Sequence, residues 1–322
     1  MKNMKKIHII YNNKYIFIRY LSSLKIILFI YTKMEDKKEC PKIKLYNGNE
    51  IPQMGFGVYQ IKGDDLTEQC VLEALKIGYR HIDTAHFYEN ERGVGRAIKK
   101  SGIPRDQIWV TSKVWVTEYG SGKTTQAVEN MLKRLDMDYI DLVLIHEPYN
   151  DYIGAYKELE ALYEKGKIKN IGISNFEDEK YEEIYNAAKI KPVLNQIELH
   201  PYFQQKNIRE RMEKTNVKTE GWAPLGEAKT NLFNEDAINK VAVKYKKTPA
   251  QIILRWHIQS GFITIPKSVK AERIKENFEI FDFELTPEEM NEINKLDGKK
   301  GRVQYNSFVM RVGIWLLGKP KD

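Results

Sequence analysis

The stretch RHIDTAHFYENERGVGRAI, residues 80–98, reads as a short strand, a loop and the opening of a helix. The strand runs through Ile82 and stops on Asp83; Tyr88 follows at the mouth of the helix that begins near Glu91. A lone Asp at a strand end is ordinarily a helix cap or a turn residue. The other reading is a site built where strands end and loops begin. Which applies depends on whether the unit recurs along the chain.

It recurs. Short apolar or β-branched runs appear at MGFGVYQ, RHIDTA, IWVTSKV, YIDLVLIH, KNIGISN, PVLNQIEL, VKTEGWAPL and FITIPK. Between them lie stretches with apolar residues at i, i+3 or i+4, among them LTEQCVLEALKIG, KTTQAVENMLKRLD and the long NEDAINKVAVKYKKTPAQIILRWHIQSG. Strands buried on both faces, each followed by a crossover helix, define a parallel sheet. Eight such units predict an α/β fold of the (β/α)8 barrel type. Before them KIKLYNGNEIPQ predicts a β-hairpin turning at Asn47-Gly48 and closing the bottom of the barrel. An open doubly wound sheet is the alternative, but GFGVYQ is not the glycine fingerprint that such a sheet carries after its first strand.

The chain has 322 residues and a formal charge of +8, and residues 1–33 supply seven of those charges with no acid among them. The remainder is close to neutral, so no basic body for nucleic acid is predicted. Residues 1–33 form an atypical leader outside the fold. Their apolar part is broken by Arg19, Ser22, Ser23 and Lys25, far short of the ~20 apolar residues of a spanning helix. Met34 is a candidate start; a weak membrane-surface segment is the other reading. A single domain is predicted over residues 34–322, with a C-terminal tail from about 299. Cys40 and Cys70 suggest neither a disulfide framework nor zinc, the histidines do not cluster, and a metal-free cytoplasmic protein is expected.

In a barrel the carboxyl ends of all strands meet on one face. Asp83, Tyr88, Lys113 and His146 stand at three such ends, so four titratable groups distant in sequence are expected to share one rim. At this point the chain resembles the aldo-keto reductase family from about Lys42 to Gly298. The resemblance rests on GFGVYQ, RHIDTAHFYENERGVGRAI, TSKVW, LIHEP, GKIKNIGISNF, NQIELHP, APLG and IPKSVKAERIKENFEIFDFEL in that order, most of all as in compact, short-loop diketogluconate reductase-like members.

The resemblance implies reduction of small aldehydes or ketones with NADPH (the couple NADPH/NADP+, NADH binding more weakly), and the reverse alcohol oxidation. It implies that Asp83, Tyr88, Lys113 and His146 are catalytic. Tyr88 would donate the proton, Lys113 would favour the ionised phenol, Asp83 would hold Lys113 charged, and a largely neutral His146 would orient the carbonyl. Ser174, Asn175 and Gln196 would hydrogen-bond the nicotinamide carboxamide, Trp222 would stack on its ring, and Leu225 would open the loop over the pyrophosphate. Lys267, Ser268 and Arg273 would bind the 2'-phosphate, and Glu276 and Asn277 the adenine. Tyr59, Phe87, Trp115 and Glu147 would surround the substrate, Glu147 standing where many relatives have an aromatic residue. A monomer acting on a small molecule is expected. A cofactor-binding regulatory protein on the same barrel is the alternative; a phosphate-binding barrel lyase or isomerase would want a glycine-rich phosphate loop, which APLG and IPKS lack.

Overall fold

The computed structural model describes residues 39–298 apart from Lys229, together with two short strands in the leader. Those strands, β1 (Ile10–Tyr11) and β2 (Lys14–Tyr15), pair antiparallel with each other. Most of the 1–33 leader and the tail from residue 299 lie outside the described residues.

The predicted hairpin comprises β3 (Lys42–Lys44) and β4 (Glu50–Pro52), with Ile43 opposite Ile51. Its loop is one residue longer than an Asn-Gly turn. Leu45 N–H bonds to Asn49 O, and Gly48, at φ +89°, donates back to Leu45 O. A glycine meets that left-handed requirement at low cost. Leu45 and Ile51 pack with Trp109, Leu142, Leu144, Leu194 and Ile263, so the hairpin plugs one end of the barrel as expected.

Eight parallel strands follow in sequential order: β5 (Phe56–Gly57), β6 (His81–Asp83), β7 (Trp109–Val114), β8 (Leu142–Ile145), β9 (Ile171–Ser174), β10 (Leu194–Glu198), β11 (Lys218–Trp222) and β12 (Ile263–Thr264). The sheet closes on itself. Met54 bridges Thr264 in parallel, Gly55 N–H donates to Thr264 O, and Gly57 N–H donates to Pro266 O. This closure rules out the open sheet. Along β8, Leu142 and Leu144 join the hairpin side of the core while Val143 and Ile145 join the helices, which explains why the strand reads as unbroken apolar sequence.

The crossovers are α1 (Asp64–Ile77), α2 (Glu91–Ser101), α3 (Lys123–Leu135), α4 (Tyr152–Glu164), α5 (Asp178–Ala187) and α6 (Lys206–Lys214), with α1 and α3 close to the periodic stretches quoted above and α2 opening at Glu91. The glycines of GVGRAI have a packing reason. A Cβ on Gly93 would lie 2.3 Å from Asp64 O, and one on Gly95 2.2 Å from Leu135 O, so α2 seats against the start of α1 and the end of α3 only without side chains there.

The long periodic stretch before β12 is two helices, α7 (Asp236–Tyr245) and α8 (Pro249–Gln259). Lys246 sits in the left-handed region at φ +54°, and Thr248 caps the second helix with Gln251 in a reciprocal box, with Pro249 in the first turn. Periodicity carried across the break because both helices bury one face; the capping box and Pro249 mark the restart. After β12 come α9 (Ala271–Phe278) and α10 (Pro287–Asn294). No helix among the described residues is long and apolar enough to cross a membrane.

Candidate active site

The question raised by Asp83 has a geometric answer. Asp83 ends β6 almost wholly buried, and both of its carboxylate oxygens accept from Lys113 Nζ, at 2.6 and 2.8 Å. Lys113, fully buried on β7, also donates to Thr84 O at 3.0 Å and lies 3.2 Å from Tyr88 Oη. A lysine without solvent keeps its charge only with such partners, and a buried carboxylate likewise. The pair is therefore no turn cap but an ion pair aimed at a phenol.

Tyr88 lies in the 3-10 turn His86–Tyr88, and its loop is pinned on two sides. Asn90, completely buried, accepts from Thr84 Oγ and donates to Val58 O and Ile61 O. His86 Nδ1 meets Glu118 Oε1 at 2.7 Å, and Glu118 Oε2 accepts the N–H of Trp115, which ties the Tyr88 loop to the loop after β7. Behind them Glu91 accepts from Ser112 Oγ and Arg134 Nε, both at 2.6 Å, fixing the start of α2 beside Lys113.

His146 follows β8, its backbone N–H bonded to Val114 O. The rings of Tyr88, Trp115 and Phe87 stand nearly perpendicular to it, with centroids 5.8, 5.0 and 6.4 Å away. Burial, and after it the charge of Lys113, holds the imidazole well below its ordinary range. A neutral imidazole donates from one ring nitrogen only.

A cleft of about 790 Å³ opens over these groups. Asp83, Tyr88 and His146 line its floor and Lys113 lies beneath it. Tyr59, Phe87, Trp115 and Glu147 line one part, with Phe87 and Trp115 stacked at 4.1 Å. Ser174, Asn175, Gln196, Trp222 and Leu225 line the adjoining part, and Lys267, Ser268, Arg273, Glu276 and Asn277 the remainder. Seventeen of the eighteen site residues singled out in the sequence line this cleft, and the other, Lys113, lies buried beneath it.

Several bonds there were not legible in the sequence. Gln196 spends its amide N–H groups inward, donating to Asp83 Oδ2 at 2.8 Å and to Glu220 Oε1 at 3.1 Å, so its carbonyl is what remains for a ligand. Asn175 donates to Glu147 Oε1 and accepts from Trp222 Nε1, both at 2.8 Å; this links the acid that lines the cleft to the indole. Tyr119 Oη donates to Glu147 O and accepts from Glu147 N–H, fixing that residue's backbone. Thr248, at the start of α8, reaches the cleft and donates to Glu276 Oε1.

The cleft suits a dinucleotide carrying an extra phosphate. Lys267 and Arg273, both exposed at its rim, have no ion-pair partner among the described residues, and Ser268 Oγ accepts the N–H of Lys270 to shape the entrance of α9. Two unneutralised cations beside a helix entrance match a phosphate, and the apolar indole with amide groups beside it matches an aromatic carboxamide. No cluster of residues able to hold a metal ion occurs among the described residues.

Comparison with known proteins points the same way. The model of the aldo/keto reductase family matches residues 53–298. The chain is 45% identical over 264 residues to methylglyoxal reductase DkgA of Yersinia pestis, covering 81% of this chain and 94% of that protein. It is 44% identical over 256 residues to glyoxal reductase of Bacillus subtilis, covering 79% and 92%. A crystal structure of a Bombyx mori aldo-keto reductase in complex with NADP superposes with a TM-score of 0.79 at 31% identity, covering 84% of this chain and 97% of the other.

Proposed function

Since the chain belongs to the aldo/keto reductase family and is an NADPH-dependent reductase of carbonyl groups, we propose that Asp83, Tyr88, Lys113 and His146 carry its chemistry, with small aldehydes of the glyoxal and methylglyoxal type as substrates. The observation that carries this reading is the Lys113 ammonium, clamped by Asp83 and 3.2 Å from Tyr88 Oη at the floor of the cleft.

When bound, NADPH supplies the hydride to the carbonyl carbon. Negative charge then grows on the carbonyl oxygen, and Tyr88 Oη gives it a proton. The phenolate left behind is stabilised by Lys113, whose charge Asp83 sustains. His146, neutral, donates one ring N–H to the same oxygen and so orients the carbonyl. The stacked rings of Phe87 and Trp115 would wall the cleft beside the reacting carbon. Ser174, Asn175 and the carbonyl of Gln196 would hold the carboxamide, with Trp222 beneath the ring. Leu225 would flank the pyrophosphate, and Glu276 and Asn277 the adenine.

The test is consumption of the reduced nicotinamide absorbance when methylglyoxal is added to enzyme and NADPH. Turnover supports a reductase working through this site. Tight NADPH binding without consumption across a panel of small aldehydes would favour the regulatory alternative.

Lys267, Ser268 and Arg273 are read as the 2'-phosphate site. A charge-assisted bond is worth about 1.5–3 kcal/mol, so Arg273→Met is expected to weaken NADPH roughly tenfold or more and leave NADH nearly unaffected. Fluorescence titration of both cofactors checks this; equal weakening of both would make Arg273 structural. We further read the chain as a monomeric cytoplasmic enzyme whose catalytic domain is residues 34–322, with residues 1–33 dispensable for turnover. The free thiols Cys40 and Cys70 and the break in composition near Met34 support this reading.

A further inference from the structure

The reaction just described makes no use of Glu220. It lies on β11, two residues before Trp222, and is completely buried inside the barrel. Its Oε1 accepts from Gln196 Nε2 at 3.1 Å, and the same nitrogen donates to Asp83 Oδ2 at 2.8 Å. One amide thus joins two carboxyl groups from distant strands, and one of these is the group that holds Lys113.

We propose that Glu220 is a positioning residue of the catalytic pair: a neutral carboxylic acid that shares the Gln196 amide with Asp83 and whose ionisation disables Lys113 as the partner of Tyr88.

The bonding of Glu220 fits a proton better than a charge. Its Oε2 is buried and has no hydrogen-bond partner among the described residues, so a carboxylate there would have a single donor for its two oxygens. The charged groups acting on it are Asp83 from β6, which repels a second anion, and Lys113 from β7, which attracts it. Its register partner on β12 is the apolar Ile263, and on β10 it is Gln196. His81, two residues before Asp83 on β6, meets Thr111 Oγ instead. Burial first and the charge of Asp83 second push Glu220 up to about 8, against the opposing pull of Lys113 and Gln196.

The sign follows. With its folded value raised, Glu220 favours the native state fully below the ordinary carboxylate range, and that contribution is lost as pH rises through about 8. Below that pH, Asp83 and Lys113 balance each other in a neutral surround. Above it, a second negative charge in the same low-dielectric interior offsets the field of Lys113 at Tyr88 and opposes the charge that builds during reduction. Carbonyl reduction should therefore fall as Glu220 ionises.

The inference rests on Tyr88 and Lys113 acting as described above. Its test compares the pH dependence of kcat, at saturating NADPH and methylglyoxal, for the wild-type chain and Glu220→Gln, which keeps an acceptor for Gln196 and removes the titration. The readout is the position of the alkaline limb, expected to move up by about one pH unit or more. Difference infrared spectroscopy of the wild-type protein should show a buried protonated carboxyl at neutral pH that disappears as the limb is crossed. That measurement decides alone if the variant does not fold. Superimposable limbs, loss of activity at every pH in a folded variant, or absence of the protonated band at neutral pH would each overturn the proposal. Full turnover of Tyr88→Phe would instead sink the reading it rests on, which keeps the two failures apart.

Discussion

Tyr88→Phe is expected to lower carbonyl reduction by about 10² to 10⁴ while NADPH affinity stays within about twofold. The substitution removes one oxygen and keeps the ring, which packs against Tyr59 and edge-on to His146, so the cleft keeps its shape. What disappears is the proton donor that Lys113 Nζ faces at 3.2 Å. Neutral His146 does not replace it, because giving up its ring proton would leave an imidazolate. Steady-state reduction of methylglyoxal with parallel cofactor titration checks the prediction, and near-normal turnover at normal affinity would return Asp83 and Lys113 to a purely structural role.

Lys113→Met should be nearly as damaging to turnover and, unlike Tyr88→Phe, should also destabilise the fold. Turnover is expected to fall by about 10² to 10³, the usual loss when one preorganised charge is removed from a developing anion. Stability suffers because Asp83, almost without solvent, keeps only the Gln196 amide among the partners described above. An uncompensated buried charge costs about 3–5 kcal/mol, unless Asp83 takes up a proton. Thermal melting at several pH values, read beside steady-state turnover, separates loss of stability from loss of chemistry. A variant with wild-type melting at every pH would show that Asp83 and Lys113 do not depend on each other.

The sequence carried what repeats and what sits at strand ends. Eight apolar runs with helices between them predict the barrel because each strand is buried on both faces, and Asp83, Lys113 and His146 stand out because a polar residue ends an apolar run. Cross-strand bonding was harder to see. That Gln196 would turn its N–H groups inward depends on Asp83 and Glu220, residues more than twenty positions away in either direction. Glu220 did leave a signal in VKTEGW, as an acid on the same face of its strand as Trp222, but alternation alone does not tell the barrel interior from solvent. The break between α7 and α8 is written in TPAQ, a capping box with proline in the first turn, a local signal that the longer periodicity overlies.

The seam that joins Met54 to Thr264 bears on how the chain reaches this structure at all. The two residues are roughly 200 positions apart, so the loop-closure entropy of that seam is large and is recovered only after nearly every other strand pair has formed. During synthesis β5 is the first strand of the barrel to emerge, and it waits with one edge unsatisfied until β12 leaves the ribosome. In the interval the growing sheet is open, and its unpaired edge is the surface through which two nascent chains would join. Because the cleft takes residues from both sides of the seam, with Gly57 and Tyr59 on one and Lys267 and Arg273 on the other, the complete cleft forms only when the barrel shuts. NADPH that touches both sides would therefore favour the closed barrel by mass action, acting as a latch on the last step of folding as well as a reactant.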